Sequence, residues 1–302
     1  MIRTRVFVVV VVAALLAIAV GKRLVVLQTE RADSQVSIAF AYDPDENGPV
    51  AASSRAAYTE VSLEEGIPST WISTDDLFLS GAAMLRRHYR AIVFPDGLDE
   101  RLSAELEGRI ASYVRMGGTV AVVYDAGSRD KHGAFLDDSA FSTLIGVDYG
   151  GYTLTHPARA PPPGTVTFAS AAAARSWGFP PGKLDGDRLV GYKYGALFYP
   201  MGRADAAPRD DITTFAHFGD STVLSTRRVG GGHAIWVDLP LGYLKAHGDA
   251  LPLHTILRTI ARRFARVPYL VPVPRGIGTI IIDWHVDSSI EYRGIPNALH
   301  YR

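Results

Sequence analysis

What most constrains this chain is an alternation running from about residue 36 to residue 124, in which short β-branched runs are each followed by a segment of helical period. Val36-Ser37-Ile38-Ala39-Phe40-Ala41-Tyr42-Asp43 is a strand, and residues 50–66 suit a helix with Ala56, Ala57, Val61 and Leu63 as inner positions. Thr70-Trp71-Ile72-Ser73 is a second strand, and Thr74 or Asp75 can cap the helix after it, which runs to about His88. Ala91-Ile92-Val93-Phe94-Pro95 is a third strand, ending in Asp96-Gly97. From Asp99 to Met116, Leu102, Leu106, Ile110 and Val114 recur at the spacing of one helix face, and Gly117-Gly118 stops the helix. Thr119 to Tyr124 is the fourth strand, ending in Asp125-Ala126-Gly127. Parallel strands need crossovers long enough to hold a helix, so this pattern predicts an α/β fold: a parallel sheet with helices on both faces. In such sheets ligands sit beyond the carboxyl ends of the strands. Those ends carry Asp43, Ser73, Asp96 and Asp125. Asp43, Asp96 and Asp125 are thus candidates for a polar pocket that takes a sugar or a cation. The competing reading is that strand-end aspartates make turns and cap helices.

From about 128 to 215 the alternation lapses. Phe141 to Ile145 is a short helical piece, Pro161-Pro162-Pro163 and Phe179-Pro180-Pro181-Gly182 are loops, and Leu189 to Tyr199 holds a strand or two of a β-rich insertion. Regularity returns with Ile212 to His217, then Thr222 to Val229, Gly230-Gly231-Gly232, and His233 to Asp238. Strand, glycine turn, strand predicts a hairpin. A phosphate-cradling loop is the alternative, but no Lys-Ser/Thr follows the glycines and no helix starts there. Leu251 to Phe264 is a helix with the stripe Leu253, Ile256, Leu257, Ile260, Ala261 and Phe264. Arg262, Arg263 and Arg266 follow in its last turn, the sign its dipole favours. Pro272-Val273-Pro274-Arg275-Gly276 reads as a linker.

Composition narrows the function classes. The chain has 302 residues, room for one large or two ordinary domains, and 31 basic against 31 acidic residues. That balance removes the bulk electrostatic argument for a nucleic-acid partner. There is no cysteine, which excludes disulfides, thiolate metal sites and a cysteine nucleophile. At the N-terminus Arg3 and Arg5 precede an unbroken apolar run, Val6 to Val20. This is the pattern of an export signal. At 1.5 Å per residue the run spans about 23 Å, short of the roughly 30 Å hydrocarbon core. Shortness and Ala17-Ile18-Ala19 favour a cleaved signal peptide, whereas Lys22, Arg23 and the apolar Leu24 to Leu27 favour an anchor. The expectation is an exported protein, periplasmic or extracytoplasmic, released or held to the inner membrane by residues 6–20.

One further stretch carries chemistry. Gly278-Thr279-Ile280-Ile281-Ile282-Asp283-Trp284-His285-Val286-Asp287-Ser288 reads as a buried strand with polar groups at its end. Alternation puts Asp283, His285 and Asp287 on one face. Two carboxylates and an imidazole in one row can bind a metal or move a proton. They can equally be strand-end polar groups paired with one another or with the linker.

Two resemblances add to this reading. Residues 35–266 resemble the class I glutamine amidotransferase-like, flavodoxin-like fold, through Tyr89 to Asp96 and the helix after it, Gly117-Gly118-Thr119-Val120-Ala121-Val122, the Arg227 to Asp238 hairpin, Leu239 to Leu244 and the last helix. Members that act as glutaminases place a cysteine at the tight turn after a central strand. Here that turn falls around Tyr124-Asp125-Ala126, in a chain without cysteine. The resemblance therefore implies a version that binds a ligand or partner and is not an amidotransferase. Gly276 to Ser288 looks like the first motif of an exported polysaccharide deacetylase. By that likeness Asp287 is a metal ligand, and Asp283 or His285 holds the catalytic position, although His285 departs from the family's aspartate pair. The family's downstream His-x-x-x-His pair has no counterpart here; after His285 only His300 remains.

The domains expected are a signal or anchor over 1–23, the amidotransferase-like domain over 35–266, a linker over 267–276, and the truncated start of a deacetylase-like domain over 277–302. The function expected is an exported accessory or binding domain of a polysaccharide-modifying protein, acting in cell-envelope or exopolysaccharide metabolism and not catalytic by itself. Its partners would be a polysaccharide or an envelope protein, and the membrane through the N-terminal segment, with no nucleic acid. No cofactor is expected in this chain alone; a divalent metal, zinc by the resemblance, is expected where a complete deacetylase domain follows. The alternatives are a metal-dependent carbohydrate hydrolase or deacetylase, in which His233 or His254 joins Asp283, His285 and Asp287, and a membrane-tethered structural module.

Overall fold

The computed structural model of the protein describes residues 37–130, 132–149, 166–190, 192–194, 197–199, 207–209 and 211–268. The expected signal and the strand bearing Asp283, His285 and Asp287 lie outside the described residues. Within them the α/β fold expected from the alternation is present. Strand β1 (Ser37–Tyr42) leads to α1 (Pro49–Glu64), β2 (Ser69–Ser73), α2 (Thr74–Leu79), α3 (Ala82–His88), β3 (Tyr89–Phe94), α4 (Ala104–Arg115) and β4 (Thr119–Val123). After the interposed segment come β12 (Ile212–Phe218), β13 (Ser221–Val229), β14 (Gly232–Val237), α7 (Leu241–Ala246) and α8 (Leu251–Thr259), which ends in a π-helical turn, Ile260–Ala265.

One ten-stranded sheet has β2, β1, β3, β4 and β14 as successive neighbours, and every pairing among these five is parallel. In order of appearance within this half the arrangement is 2-1-3-4-5, the flavodoxin-like winding. Beyond β14 the sheet turns antiparallel through β13 and β12. It continues into the short strands β6 (Thr167–Phe168), β8 (Arg188–Leu189) and β7 (Leu184–Asp185). Part of the expected β-rich insertion thus extends the main sheet. The rest includes α5 (Ser142–Ile145), α6 (Ala171–Ser176), the pair β5 (Val147–Asp148) with β11 (Ala207–Pro208), and the pair β9 (Tyr192–Tyr194) with β10 (Leu197–Tyr199).

Two apolar layers sandwich the sheet. Alternate residues of the central strands, among them Phe40, Val93, Val123 and Ile235, face α1, α7 and α8. Their neighbours, including Ala41, Ile92, Val122 and Trp236, face α2, α3 and α4. Strands buried on both faces need continuous apolar runs, and Thr119 to Val123 is such a run.

The glycine triplet makes the expected hairpin, with Gly232 opposite Val229. A side chain at Gly232 would overlap the carbonyl oxygens of Val114 and Gly118, so the triplet lets the hairpin lie against the end of α4. Three expectations shift. The helix expected from 74 to 88 is two helices, parted at Ser80, whose backbone is extended, and Gly81. Its cap is Ser73, whose Oγ accepts the Asp76 N–H at 3.0 Å. Helix α4 starts at Ala104 behind a Ser103 cap, so Asp99 to Leu102 form a loop at the carboxyl edge of the sheet.

Candidate functional site

The carboxyl ends of β1, β3 and β4 meet at a cavity of about 580 Å³ whose lining includes Asp45, Glu46, Gly97, Glu100, Arg101, Asp125 and Arg129. It lies where ligands of doubly wound sheets are held. Short loops after the strands set its walls. Asp43 ends β1 in an Asx turn, its Oδ1 accepting the Asp45 N–H at 2.9 Å. Arg101 reaches across to Asp43 at 3.0 Å, with Glu46 and Asp45 at 3.8 and 3.9 Å. Arg129 is paired with Glu100 and donates to the Gly133 carbonyl at 2.7 Å. Asp125 accepts the Gly97 N–H at 2.9 Å and so joins the loops after β3 and β4.

The three expected pocket aspartates have different fates. Asp125 lines the cavity. Asp43 sits at its rim through Arg101. Asp96 turns the other way: its carboxylate accepts the Tyr58 hydroxyl at 3.0 Å and the Gly242 and Tyr243 N–H groups at 2.9 and 3.1 Å. It caps the first turn of α7 from a distant loop. Burial pushes its pKa above the ordinary carboxylate range against the pull of those donors.

Two further acids lie at this edge of the sheet: Glu46, which lines the cavity, and Asp99, which does not. Burial, with Glu100 and Asp43 nearby, pushes Glu46 up to about 7, against the pull of Arg101. Asp99 is fully buried, and among the described residues neither carboxylate oxygen has a hydrogen-bond partner. Burial first, then Glu46, Asp43 and Asp125, hold its pKa well above the usual range. The available signal was the run of acids just past two strand ends, Asp43-Pro44-Asp45-Glu46 and Asp96-Gly97-Leu98-Asp99-Glu100. Assigning Asp99 to a helix concealed it.

Tyr124 stands at the tight turn after β4. Its φ is 55°, in the left-handed region that side-chain-bearing residues seldom adopt, and its N–H is held by the Val237 carbonyl at 2.8 Å. The tight turn expected after a central strand is therefore present, and it is strained at Tyr124. Of the histidines considered as further metal ligands, His254 lies 2.9 Å from both Glu64 and Glu65. His233 lies at the opposite, amino-terminal edge of the sheet, in register with Thr119. Among the described residues no group of three or more His, Asp or Glu side chains is placed to hold a metal ion. No helix among them is long and apolar enough to cross a membrane.

No protein-family model matches the sequence, and no curated protein does. Solved structures do. A β-galactosidase from Rahnella sp. R3 is 16% identical, with a TM-score of 0.50 over 80% of this chain and 33% of its own. A β-galactosidase from Bacillus circulans sp. alkalophilus is 15% identical, with a TM-score of 0.49 over 80% of this chain and 33% of that one. A putative ThuA-like protein from Bacteroides uniformis is 10% identical, with a TM-score of 0.47 over 76% of this chain and 93% of its own. The chain spans about a third of the length of these β-galactosidases. At such identities the likeness concerns the fold alone; the strand order makes this chain a flavodoxin-like α/β domain.

Proposed function

We propose that this amidotransferase-like domain is a non-catalytic module that binds a hydroxyl-rich saccharide at the carboxyl edge of its sheet. It would serve an exported polysaccharide-modifying, deacetylase-like protein of the cell envelope or of exopolysaccharide metabolism. The observation that carries this reading is the pairing of a strained turn bearing Tyr124, where a glutaminase would need a thiolate, with an adjoining cavity of carboxyls and guanidinium groups. Carboxyl groups beside paired arginines present acceptors and donors in fixed positions, which is what a ring of hydroxyls requires. Export rests on the apolar N-terminal run, and the link to deacetylation rests on the sequence stretch with Asp283, His285 and Asp287.

The test is calorimetric titration of the full chain with β-linked glucose and N-acetylglucosamine tetramers, with and without zinc, alongside an assay for released acetate. Saturable binding without acetate release, weakened at least tenfold by Asp125→Asn or Arg101→Ala, is expected. No binding in any condition overturns the reading. Stoichiometric zinc uptake with acetate release would favour the metal-dependent deacetylase instead, with Asp287 as ligand.

A further inference from the structure

The other end of the sheet carries a second cavity, of about 390 Å³, chemically unlike the first. The residues that open β3, β4 and β14 come together there. Ala91, Thr119 and His233 are in register across the three strands, so Arg90 and the residues around Gly118 and Gly232 form one ledge. The π-helical turn after α8 brings up Arg263, Phe264 and Arg266. Arg86, from the last turn of α3, lies against Gly117: a side chain there would stand 3.5 Å from its Nε. Arg86, Arg90, Arg263, Arg266 and His233 thus line one cavity, and none of its lining residues is acidic.

Four arginines converge here without an acidic residue in the lining. Arg101, Arg129, Arg209, Arg227 and Arg258 each pair with a carboxylate. Among the described residues, Arg86, Arg90, Arg263 and Arg266 form no ion pair. The Arg86 Nε is sealed from solvent and has no hydrogen-bond partner among them. Convergent cations raise one another's energy, and a guanidinium N–H left dry and unbonded adds to that cost. The strain has a local trace: burial, then Arg228, Arg263 and Arg266, depress the His233 pKa. A ligand with two negative charges and several acceptor oxygens relieves both costs, and guanidinium forks match the geometry of phosphate.

We infer that this cavity is an anion site for a phosphate-bearing ligand, separate from the saccharide site and held by Arg86, Arg90, Arg263 and Arg266. The phosphate can belong to a small soluble ester or to a lipid headgroup; both present anionic oxygens to the guanidinium groups, a monoester with up to two charges and a diester headgroup with one. Full-length protein is titrated with inorganic phosphate and with glycerol phosphate, against sodium chloride at matched ionic strength. Co-sedimentation is measured with vesicles of phosphatidylglycerol and of phosphatidylcholine. The expected result is saturable one-to-one phosphate binding that the double variant Arg90→Ser/Arg263→Ser weakens at least tenfold. The control Arg175→Ser, on the exposed side of α6, leaves it unchanged. Both substituted residues of the double variant are exposed, so the variant folds, as its thermal midpoint in chloride will verify. Retention on phosphatidylglycerol alone, lost in the double variant, assigns the site to a headgroup; binding of glycerol phosphate assigns it to a soluble ester. A phosphate response equal to that of chloride, or one that persists in the double variant, overturns the inference.

Discussion

At the scale of single residues, the carboxylates at this sheet edge divide between holding the fold and holding protons. Asp96 holds the fold, because it accepts from the buried Tyr58 hydroxyl and from two N–H groups in the first turn of α7. Asp96→Ala should cost about 2–4 kcal/mol, since it strands buried donors, whereas Tyr58→Phe should cost about 1 kcal/mol. Urea unfolding of both variants and their double will separate the shares, with a coupling energy expected because the two groups bond directly. Glu46 behaves in the opposite sense. Its folded pKa of about 7 lies above the ordinary 4.5, so the unfolded chain releases the proton first. Stability contributed at this residue is therefore full below 4.5, falls as pH rises towards 7, and stays lost above. Glu46→Gln removes the ionisation. The variant should match the parent at pH 4 and exceed it by about 1–3 kcal/mol at pH 8, as read from urea midpoints at the two pH values. Equal stabilities at pH 8 would mean that Glu46 ionises as freely as an exposed glutamate.

At the scale of elements, α1 shows what a sequence pattern conveys and where it stops. Its limits and its Ala57 and Val61 contacts were legible from apolar spacing. Its true inner face was not: Ala56 and Leu63 point outward, Leu63 at 74% exposure, while Ser54, Tyr58 and Ser62 point in. Polar residues take the buried face because each finds a partner supplied from elsewhere in the chain. Ser54 Oγ donates to the Asp96 carbonyl at 2.7 Å, and Ser62 Oγ accepts from the Ser69 hydroxyl at 2.9 Å. No local periodicity encodes a partner 42 residues away. Three of the four parallel strands before residue 125, β1, β3 and β4, were legible because burial on both faces leaves a long apolar signature, whereas the edge strand β2 is half-exposed and was read from Trp71 and Ile72 between polar residues. The extension of the sheet through β6, β7 and β8 was not, because two-residue strands carry none. The same limit applies to the site: strand-end aspartates stand out in a sequence, but which of them face a cavity depends on loops packed from both sides. Small residues set the distance between α1 and α7. A side chain at Gly242 would overlap the Ser54 hydroxyl and come within 3.0 Å of its Cα. Gly242→Ala should therefore force the helices apart at a cost of about 1–3 kcal/mol, and pairing it with Ser54→Gly should recover part of the loss. Full stability of Gly242→Ala alone, in thermal and urea unfolding, would show that the helices shift freely.

At the scale of the whole molecule, the sheet is two structures joined edge to edge, and the two candidate sites occupy opposite ends of the parallel half. In that half the central strands β1, β3, β4 and β14 each pair on both edges and are covered on both faces. The far edge is built differently. β6 and β8 share a single register pair, and β7 holds β8 by two. Opening there uncovers little apolar surface, so its free-energy cost should lie well below that of global unfolding. Native-state hydrogen exchange should accordingly grade across the sheet. Amides of β3, β4 and β14 should exchange only with global unfolding, those of β12 and β13 in between, and those of β6 to β8 by local opening, with denaturant-insensitive rates. The gradient bears on both sites, because the strands that carry them are the last to open. A saccharide at the carboxyl edge or a phosphate at the amino edge then meets groups held in place before it arrives, and little ordering cost is left for binding. If β6 to β8 exchange as slowly as β4, the ten strands open as one cooperative unit, and the antiparallel half is as much a part of the rigid frame as the parallel one.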